Sequence, residues 1–261
     1  MNKTKIDWAD STFNPVTGCL HGCKYCYAKA IATRFDGGWR CDYLPYPVLN
    51  EPFRSGGKMQ PYPYGFLPTF HRYRLDEYKE KKRRNIFVCS MADLFGEWVP
   101  DEWLQEIFTA CREAPQHNYM FLTKNPMRLF QMKCAGTLPL DENMWYGSSY
   151  TNKGMKYQCD SKAGNWFLSI EPLLEDLGKM KWETNRPKWV IIGAETGNRK
   201  GKVKPERRWI ESIVEQCRQY GIPVFMKASL ETIWGTKLLR EYPEQLKKNL
   251  TGKETRLDNG K

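Results

Sequence analysis

The sequence predicts an α/β fold: a partial (β/α) TIM-like barrel of six or seven parallel strands, with a long insertion after the first helix. Short apolar runs alternate with segments of helical periodicity through most of the chain. The runs are apolar at almost every position, which is typical of parallel strands that are covered on both faces. A length of 261 residues suits one barrel of this kind. A doubly wound flat sheet is the alternative.

The predicted elements follow one another in a regular order. Strands are predicted at about 12–16, 86–90, 119–123, 144–148, 166–170, 189–193 and 223–227. Helices are predicted over 27–35, from Pro100, around 126–132, and from about Glu206 to Tyr220. A strand followed by a helix, repeated in this way, predicts a parallel sheet with helices on its outside.

The first helix and the segment after it depart from this regular pattern. The helix carries Tyr27, Ile31 and Phe35 on one face. Residues 36–84, rich in Pro, Tyr and Gly, then interrupt the alternation, and a loop of that length is usually functional or mobile. We predict one barrel domain over 1–240, which includes this insertion, and a polar C-terminal tail over 241–261.

The loop after the first strand carries three cysteines, Cys19, Cys23 and Cys26, at C-x3-C-x2-C spacing. Three thiolates on one tight loop can hold three irons of a [4Fe–4S] cluster and leave the fourth iron without a protein ligand. Zinc or three unrelated thiols are the alternatives, although zinc sites usually take four ligands in C-x2–4-C pairs. The other cysteines stand singly, which indicates free thiols in a reducing compartment.

An open iron can be chelated by the amino and carboxylate groups of S-adenosylmethionine. The cysteine spacing, with the aromatic Tyr25 directly before Cys26, resembles the signature of the radical S-adenosylmethionine superfamily. This resemblance implies an enzyme whose cluster receives an electron from an external donor. It further implies release of a 5′-deoxyadenosyl radical, which abstracts hydrogen from a substrate that the sequence does not identify.

Composition limits the cellular context and the partners. The formal net charge of +11 attracts polyanions, of which nucleic acid is the commonest in a cell. No apolar run approaches the roughly 18 residues of a membrane span, and the first residues lack the apolar core of a signal peptide. The sequence therefore predicts a cytoplasmic protein with no membrane partner.

Polar side chains stand at the ends of the predicted strands, where the chemistry of parallel barrels is found. The side chains that we predict to bind the cofactor are Tyr25, Ser90, Asp93, Ser148, Glu171 and Glu195. Serines, acids and lysines could serve the polar groups of S-adenosylmethionine, and Tyr25 could pack on its adenine. The alternative is that strand ends are polar simply because they emerge into solvent.

Four further sequence motifs point to one family within this superfamily. They are residues 90–95, 121–126, 168–174 and 193–197. With the cysteine motif, they resemble a phage-associated radical S-adenosylmethionine-like family of unknown function, from about Trp8 to Lys227. The chain departs from the wider superfamily at one motif. The Gly-Gly-Glu-Pro block that commonly binds the methionine amine in the superfamily is absent, so the roles of Ser90 and Asp93 rest on their position alone.

Basic and aromatic segments indicate a nucleic acid or nucleotide as the candidate substrate. One basic cluster comprises Arg199, Lys200, Lys202, Lys204, Arg207 and Arg208, with only Glu206 opposing it, and a second covers 79–84. The insertion contributes Tyr43, Tyr46, Tyr62, Tyr64, Phe66, Phe70 and Tyr73, which could stack on bases. Alternatively, these aromatics pack as a lid. The competing function is a non-catalytic nucleic-acid-binding protein with a structural iron–sulfur or zinc loop.

Overall fold

The computed structural model describes residues 4–39, 41, 46–160 and 162–247. Its strands, in chain order, are β1 Ser11–Phe13, β2 Val16–Thr17, β3 Val48–Leu49, β4 Arg54–Ser55, β5 Lys58–Met59, β6 Thr69–His71, β7 Asn85–Val88, β8 Asn118–Thr123, β9 Met144–Ser149, β10 Asn165–Ile170, β11 Trp189–Ile192 and β12 Val224–Met226. Its helices are α1 Tyr27–Arg34, α2 Asp101–Glu113, α3 Pro126–Cys134, α4 Arg207–Gln219, α5 Glu231–Trp234 and α6 Glu244–Lys247. No helix among these residues is long and apolar enough to cross a membrane.

The main sheet has seven strands in the order β1-β7-β8-β9-β10-β11-β12. Every neighbouring pair is parallel. The seven strands lie in the sheet in the order in which they follow one another in the sequence; β3 to β6 belong to the insertion, and β2 pairs with β6 outside the main sheet. This arrangement confirms the predicted partial barrel and its long insertion, and it excludes a doubly wound sheet, whose strand order reverses at a switch point.

The sheet curls around an aromatic core on its concave face. Trp8 lies at its centre, with ring centroids 4.7 Å from Phe87 on β7, 6.2 Å from Phe167 on β10 and 6.1 Å from Trp189 on β11. One ring can contact strands that are not neighbours only if the sheet bends around it. The same concave cluster includes Met120, Trp145, Ile191 and Phe225. The opposite face packs against α2 and α4.

The first predicted strand is divided in two by a change of direction. β1 ends at Phe13, and β2 begins at Val16 but pairs antiparallel with β6 of the insertion. Pro15 lies between them and has no N–H to donate to a ladder; its carbonyl accepts a hydrogen bond from His71 N at 2.7 Å. The chain therefore leaves the barrel before the cysteine loop begins.

Helix α1 buries a different face from the one that carries its large apolar side chains. Ala28 and Ala32 are buried, whereas Tyr27, Ile31 and Phe35 are 50%, 38% and 53% exposed. Small side chains let a helix approach its neighbours closely, so the alanines form the contact. The larger apolar side chains remain at the surface, close to the cysteine loop.

The segment after β12 closes the barrel at the N-terminal ends of its strands. Asn85 Nδ2 at the start of β7 donates to Leu246 O at 2.9 Å, and Trp189 Nε1 donates to Glu241 O at 2.9 Å. Tyr242 and Leu246 join the concave aromatic cluster. Residues 241–247 of the predicted tail thus pack against the barrel, and 248–261 lie outside the described residues.

The insertion is a small structured unit that packs on the barrel. β2, β6 and β3 form one mixed sheet, and β4 with β5 forms a separate hairpin. Phe70 on β6 is fully buried and stacks on Trp103 of α2, with ring centroids 5.1 Å apart. Of the aromatic residues predicted to stack on bases, Phe70 therefore belongs to the core, and Tyr43 lies outside the described residues.

Candidate functional site

The cysteine loop lies above the C-terminal ends of the barrel strands and is tied there by backbone hydrogen bonds. Gly18 N donates to Met91 O at 3.0 Å, and Cys19 N donates to Phe66 O at 3.2 Å. Gly18 has a φ of 89° and sits directly against the chain at Leu67. A Cβ at Gly18 would lie 2.2 Å from Leu67 O, so only glycine allows this close approach.

Asp93, which follows β7, holds the loop in position from below. Its Oδ2 accepts from His21 Nε2 at 2.7 Å and from Lys124 N at 2.8 Å. Its Oδ1 accepts from Thr123 Oγ1 at 2.7 Å and from Phe95 N at 3.1 Å. Asp93 therefore joins the cysteine loop to the ends of β7 and β8, and all four bonds converge on one buried carboxylate.

The three cysteines of the loop are partly exposed and form no disulfide. Burial raises the pKa of the Cys19 thiol to about 12. Burial also raises the pKa of Cys23, although the ammonium of Lys124 opposes that shift. Cys26 is the N-cap of α1, where its Sγ accepts from Lys29 N at 3.3 Å. The charges of Asp93, Cys23 and Cys26 also raise the pKa of Cys19, as smaller causes than burial.

A single zinc ion and an iron–sulfur cluster make different demands on the donor set. Within the described residues, no three His, Cys, Asp or Glu side chains are arranged to hold one metal ion. Structural zinc needs four ligands meeting at one tetrahedral centre, whereas each thiolate of a [4Fe–4S] cluster binds its own iron. The loop supplies three thiols, and its one other candidate ligand, His21, is already engaged by Asp93.

Two tyrosines line the opening beside the loop. The ammonium of Lys124, at the end of β8, lies 5.8 Å from the ring centroid of Tyr25. Tyr27 is half exposed, but its hydroxyl is enclosed and donates to Ser90 O at 2.7 Å. Burial, followed by the nearby carboxylate of Glu171, raises the pKa of Tyr27. Tyr27 thus spans from the end of β7 towards the end of β10.

Glu171 and Lys227 form an ion pair across the opening. The two residues follow β10 and β12, and Lys227 Nζ donates to Glu171 Oε1. Gly193 follows β11, between them, and a Cβ there would lie 3.1 Å from Glu171 Cγ and from Lys227 Cδ. The glycine therefore leaves room for the pair. Both side chains keep some exposure, 25% for Glu171 and 18% for Lys227.

The other predicted cofactor residues are committed to contacts within the protein. Ser148 shares the outer face of β9 with Tyr146, and its Oγ accepts from Gln158 N at 3.0 Å. Ser90 Oγ donates to Asn14 Oδ1 at 3.1 Å. Glu195 forms two hydrogen bonds with Arg199, at 2.5 and 2.7 Å, and they lower its pKa. The structure brings Tyr25 and Glu171 to the opening and places Ser148 away from it.

Two serines on the concave face were not among the predicted site residues. Ser169 pairs with Ser149 on β9 and with Ile191 on β11. Ile191 belongs to the concave cluster, as does Phe167, two residues before Ser169. Because side chains alternate along a strand, Ser149 and Ser169 also face the concave side. Alternation leads from Phe167 to Ser169, but every position of β10 is buried, so the sequence carries no signal that marks this face as the concave one.

The two predicted basic clusters differ in location and in free charge. Residues 79–84 directly precede β7, so they lie at the opposite end of the barrel from the cysteine loop. The cluster after β11 lies on the site side, but ion pairs neutralise much of it. These pairs are Arg199 with Glu195, Arg207 with Glu211 and Arg208 with Glu206.

A cavity of about 630 Å³ opens far from the cysteine loop, at the N-terminal ends of the strands. Its charged lining is paired internally: Arg218 with Glu241, Arg240 with Asp7, and Lys247 with Glu244. Charges that satisfy one another offer little to a ligand. The polar opening under the cysteine loop is the candidate functional site.

Replacing Asp93 is expected to loosen the cysteine loop. Asp93→Asn should lower the free energy of unfolding by about 1–3 kcal/mol, because the amide NH2 would face a backbone N–H, of Lys124 or of Phe95, whichever way it is turned. Urea unfolding measures this effect. Asp76→Asn, at an exposed partner of Lys79, is the matched control and should change stability by less than about 1 kcal/mol. Equal stability of the two variants would contradict the role of Asp93.

Comparison with known proteins identifies a family whose description gives no function. A family model described as "Protein of unknown function (DUF5131)" matches residues 3–257, and that description names no phage association. No curated protein matches the chain. A solved structure of a spore photoproduct lyase variant with bound AdoMet and dinucleoside spore photoproduct is similar at 8% identity and a TM-score of 0.46, covering 89% of this chain and 76% of that one. The match over 3–257 shows that this chain belongs to the DUF5131 family.

Proposed function

We propose that this protein is a radical S-adenosylmethionine enzyme that binds a [4Fe–4S] cluster through Cys19, Cys23 and Cys26. The observation that carries the proposal is the position of the cysteine triplet. It lies on one loop that is fastened over the C-terminal ends of a curled parallel sheet, where such barrels place their chemistry. The spacing leaves one iron of a cluster for a ligand other than the protein.

The residues around the opening fit such a cofactor pair. When bound, a reduced cluster supplies the electron that splits the sulfonium of S-adenosylmethionine into methionine and a 5′-deoxyadenosyl radical. Tyr25 offers a ring face on which the adenine can pack. Glu171 offers a carboxylate to hydroxyl or ammonium donors, and Lys227 holds that carboxylate in place. The hydroxyl of Tyr27 fixes the start of α1 against the end of β7.

An external electron donor and a substrate complete the proposal. The cysteine loop is close to the surface, because Leu20 within it is 49% exposed. A donor protein can therefore approach the thiols from outside the barrel. We further propose a nucleic acid or nucleotide as the substrate.

The decisive experiment is anaerobic reconstitution with iron and sulfide. Loaded protein should contain about four irons and four sulfides per chain, bleach on reduction with dithionite, and convert S-adenosylmethionine into 5′-deoxyadenosine. Stoichiometric zinc without sulfide, in protein purified under nitrogen, would refute the proposal. It would favour a structural metal loop in a non-catalytic nucleic-acid-binding protein.

Glu171→Gln is expected to weaken cofactor binding without changing the cluster. Removal of one charge-assisted partner costs about 1.5–3 kcal/mol, so the affinity for S-adenosylmethionine should fall roughly tenfold or more. Equilibrium dialysis with labelled cofactor measures the affinity, and iron analysis measures the cluster. Glu215→Gln, at an exposed position of α4, is the matched control. If both variants bind the cofactor equally well, Glu171 is not part of its site.

A further inference from the structure

Exposed apolar side chains are concentrated beside the candidate site. Ten large apolar side chains are exposed in the part of the chain that the structure describes, and seven of them lie between residues 20 and 59. Scattered apolar residues on a surface are ordinary, but a concentration of them marks an interaction site. We call the surface formed by Tyr27, Ile31, Phe35, Trp39 and the β4–β5 hairpin the α1 strip.

The α1 strip extends from the start of α1 into the insertion. Tyr27 and Ile31 are one helical turn apart, and α1 extends the strip by about 12 Å to Phe35 at 1.5 Å per residue. Beyond the helix, Trp39 N donates to Pro63 O at 3.2 Å. The ring centroid of Trp39 lies 5.4 Å from that of Phe53, which directly precedes the hairpin.

Three cations that have no carboxylate partner in the described part of the chain flank these apolar side chains. Arg34 follows Ile31 by three residues and Tyr27 by seven, so it shares their side of α1. Arg54 and Lys58 are exposed on the hairpin, where Arg54 Nη1 donates to Gly57 O at 3.4 Å. Among described residues, none of these three cations has an ion pair. The cluster after β11 differs, because three of its arginines are paired with glutamates.

We propose that the α1 strip binds single-stranded nucleic acid and leads it to the opening under the cysteine loop. Exposed aromatic rings interleaved with unpaired cations are the combination that holds unpaired bases and their phosphates. A duplex hides the faces of its bases and would leave the rings unused. A role of this surface in delivering substrate rests on the proposed function, whereas the binding of nucleic acid itself does not.

Charge removal tests the phosphate contacts. In the cluster-loaded protein, we compare the triple variant R34Q/R54Q/K58Q with K81Q/K82Q/R83Q, which removes the same charge at the opposite end of the barrel. The probes are fluorescein-labelled oligodeoxythymidylate and oligouridylate, measured by anisotropy over a range of salt concentrations. The first variant should reduce the log–log salt slope by about 2, since each single-strand phosphate contact contributes about 0.7. The second should leave the slope close to that of the wild type.

Ring removal tests base stacking. Phe35→Ala should weaken binding of both probes about tenfold at fixed salt, because stacking on one base contributes on this scale. Phe130→Ala, at an exposed phenylalanine of α3, is the matched control and should bind like the wild type.

Three results would overturn the inference. The first is an equal decrease of the salt slope in the two triple variants. The second is an equal affinity of Phe35→Ala and Phe130→Ala for the probes. The third is no binding of either probe at low salt. The last result would assign the strip to a partner of another kind, such as an acidic protein. Iron content and 5′-deoxyadenosine formation, measured on the same preparations, test the proposed function separately. If the protein binds oligonucleotide through the α1 strip but holds no cluster, this inference stands and the proposed enzymatic function is refuted.

Discussion

Replacing any one of Cys19, Cys23 and Cys26 by alanine is expected to abolish formation of 5′-deoxyadenosine and most of the bound iron. Each thiolate binds a different iron of the cluster, so the loop cannot replace one ligand with another of its own. The next candidate in the loop, His21, is already bonded to Asp93. Iron and sulfide analysis after anaerobic reconstitution, together with the visible absorbance, measures the loss.

Cys134→Ala is the matched control for this series. Cys134 is the last residue of α3, is exposed and forms no disulfide. Its replacement should leave the iron content and the product yield unchanged. Full iron content in a Cys19→Ala variant would show that the triplet is not the ligand set. Loss of iron in Cys134→Ala would show that the cluster depends on a cysteine outside the loop.

Gly18→Ala is expected to disrupt the loop as severely as the loss of a cysteine. The added Cβ would meet the backbone of Leu67 at 2.2 Å, and backbone cannot rotate away as a side chain can. The positive φ adds a cost of about 1–2 kcal/mol, and the overlap adds about 1–3 kcal/mol. Urea unfolding should therefore show a loss of about 2–5 kcal/mol, and cluster content should fall with it.

Gly22→Ala separates the cost of a positive φ from the cost of the overlap with Leu67, within the same loop. Gly22 also has a positive φ, of 66°, but its added Cβ would have no heavy atom within 4 Å. Only the backbone cost of about 1–2 kcal/mol should remain. If the two alanine variants are equally stable, the contact with Leu67 does not position the cysteine loop.

Much of the barrel could be predicted because parallel strands leave a simple pattern. The strand predicted at 119–123 is β8 Asn118–Thr123, and that predicted at 144–148 is β9 Met144–Ser149. Each is a short apolar run between a helix and a polar end. The helix predicted from about Glu206 is α4 Arg207–Gln219, because its apolar residues recur at three and four positions.

Side-chain direction at the strand ends could not be predicted in the same way. Both faces of these strands are buried, so apolar residues occupy both and the sequence does not mark the concave side. The choice between Ser148 and Ser149 depends on this distinction. Ser148 contacts the loop at Gln158, whereas Ser149 faces the same side as Phe167.

Charge pairing in the basic cluster after β11 was missed, although the partners are close in sequence. Within residues 199–208 only Glu206 opposes the cluster, but Glu195 and Glu211, just outside this range, each stand four residues from the arginine that they pair with. Arg34 lies on α1, whereas Arg54 and Lys58 lie on the β4–β5 hairpin, and the ring contact of Trp39 with Phe53 links the segments that carry them. Charge along the chain therefore located the basic segments but not the ion pairs within them.

The central position of Trp8 has a consequence for how the chain folds. Its ring contacts residues that are about 80 to 180 positions away in sequence, and such distant contacts close large loops and slow folding. The concave core cannot be completed until β7, β10 and β11 are all in place. We therefore expect one cooperative transition for the whole barrel, and a fragment that ends before β10 should fail to fold independently.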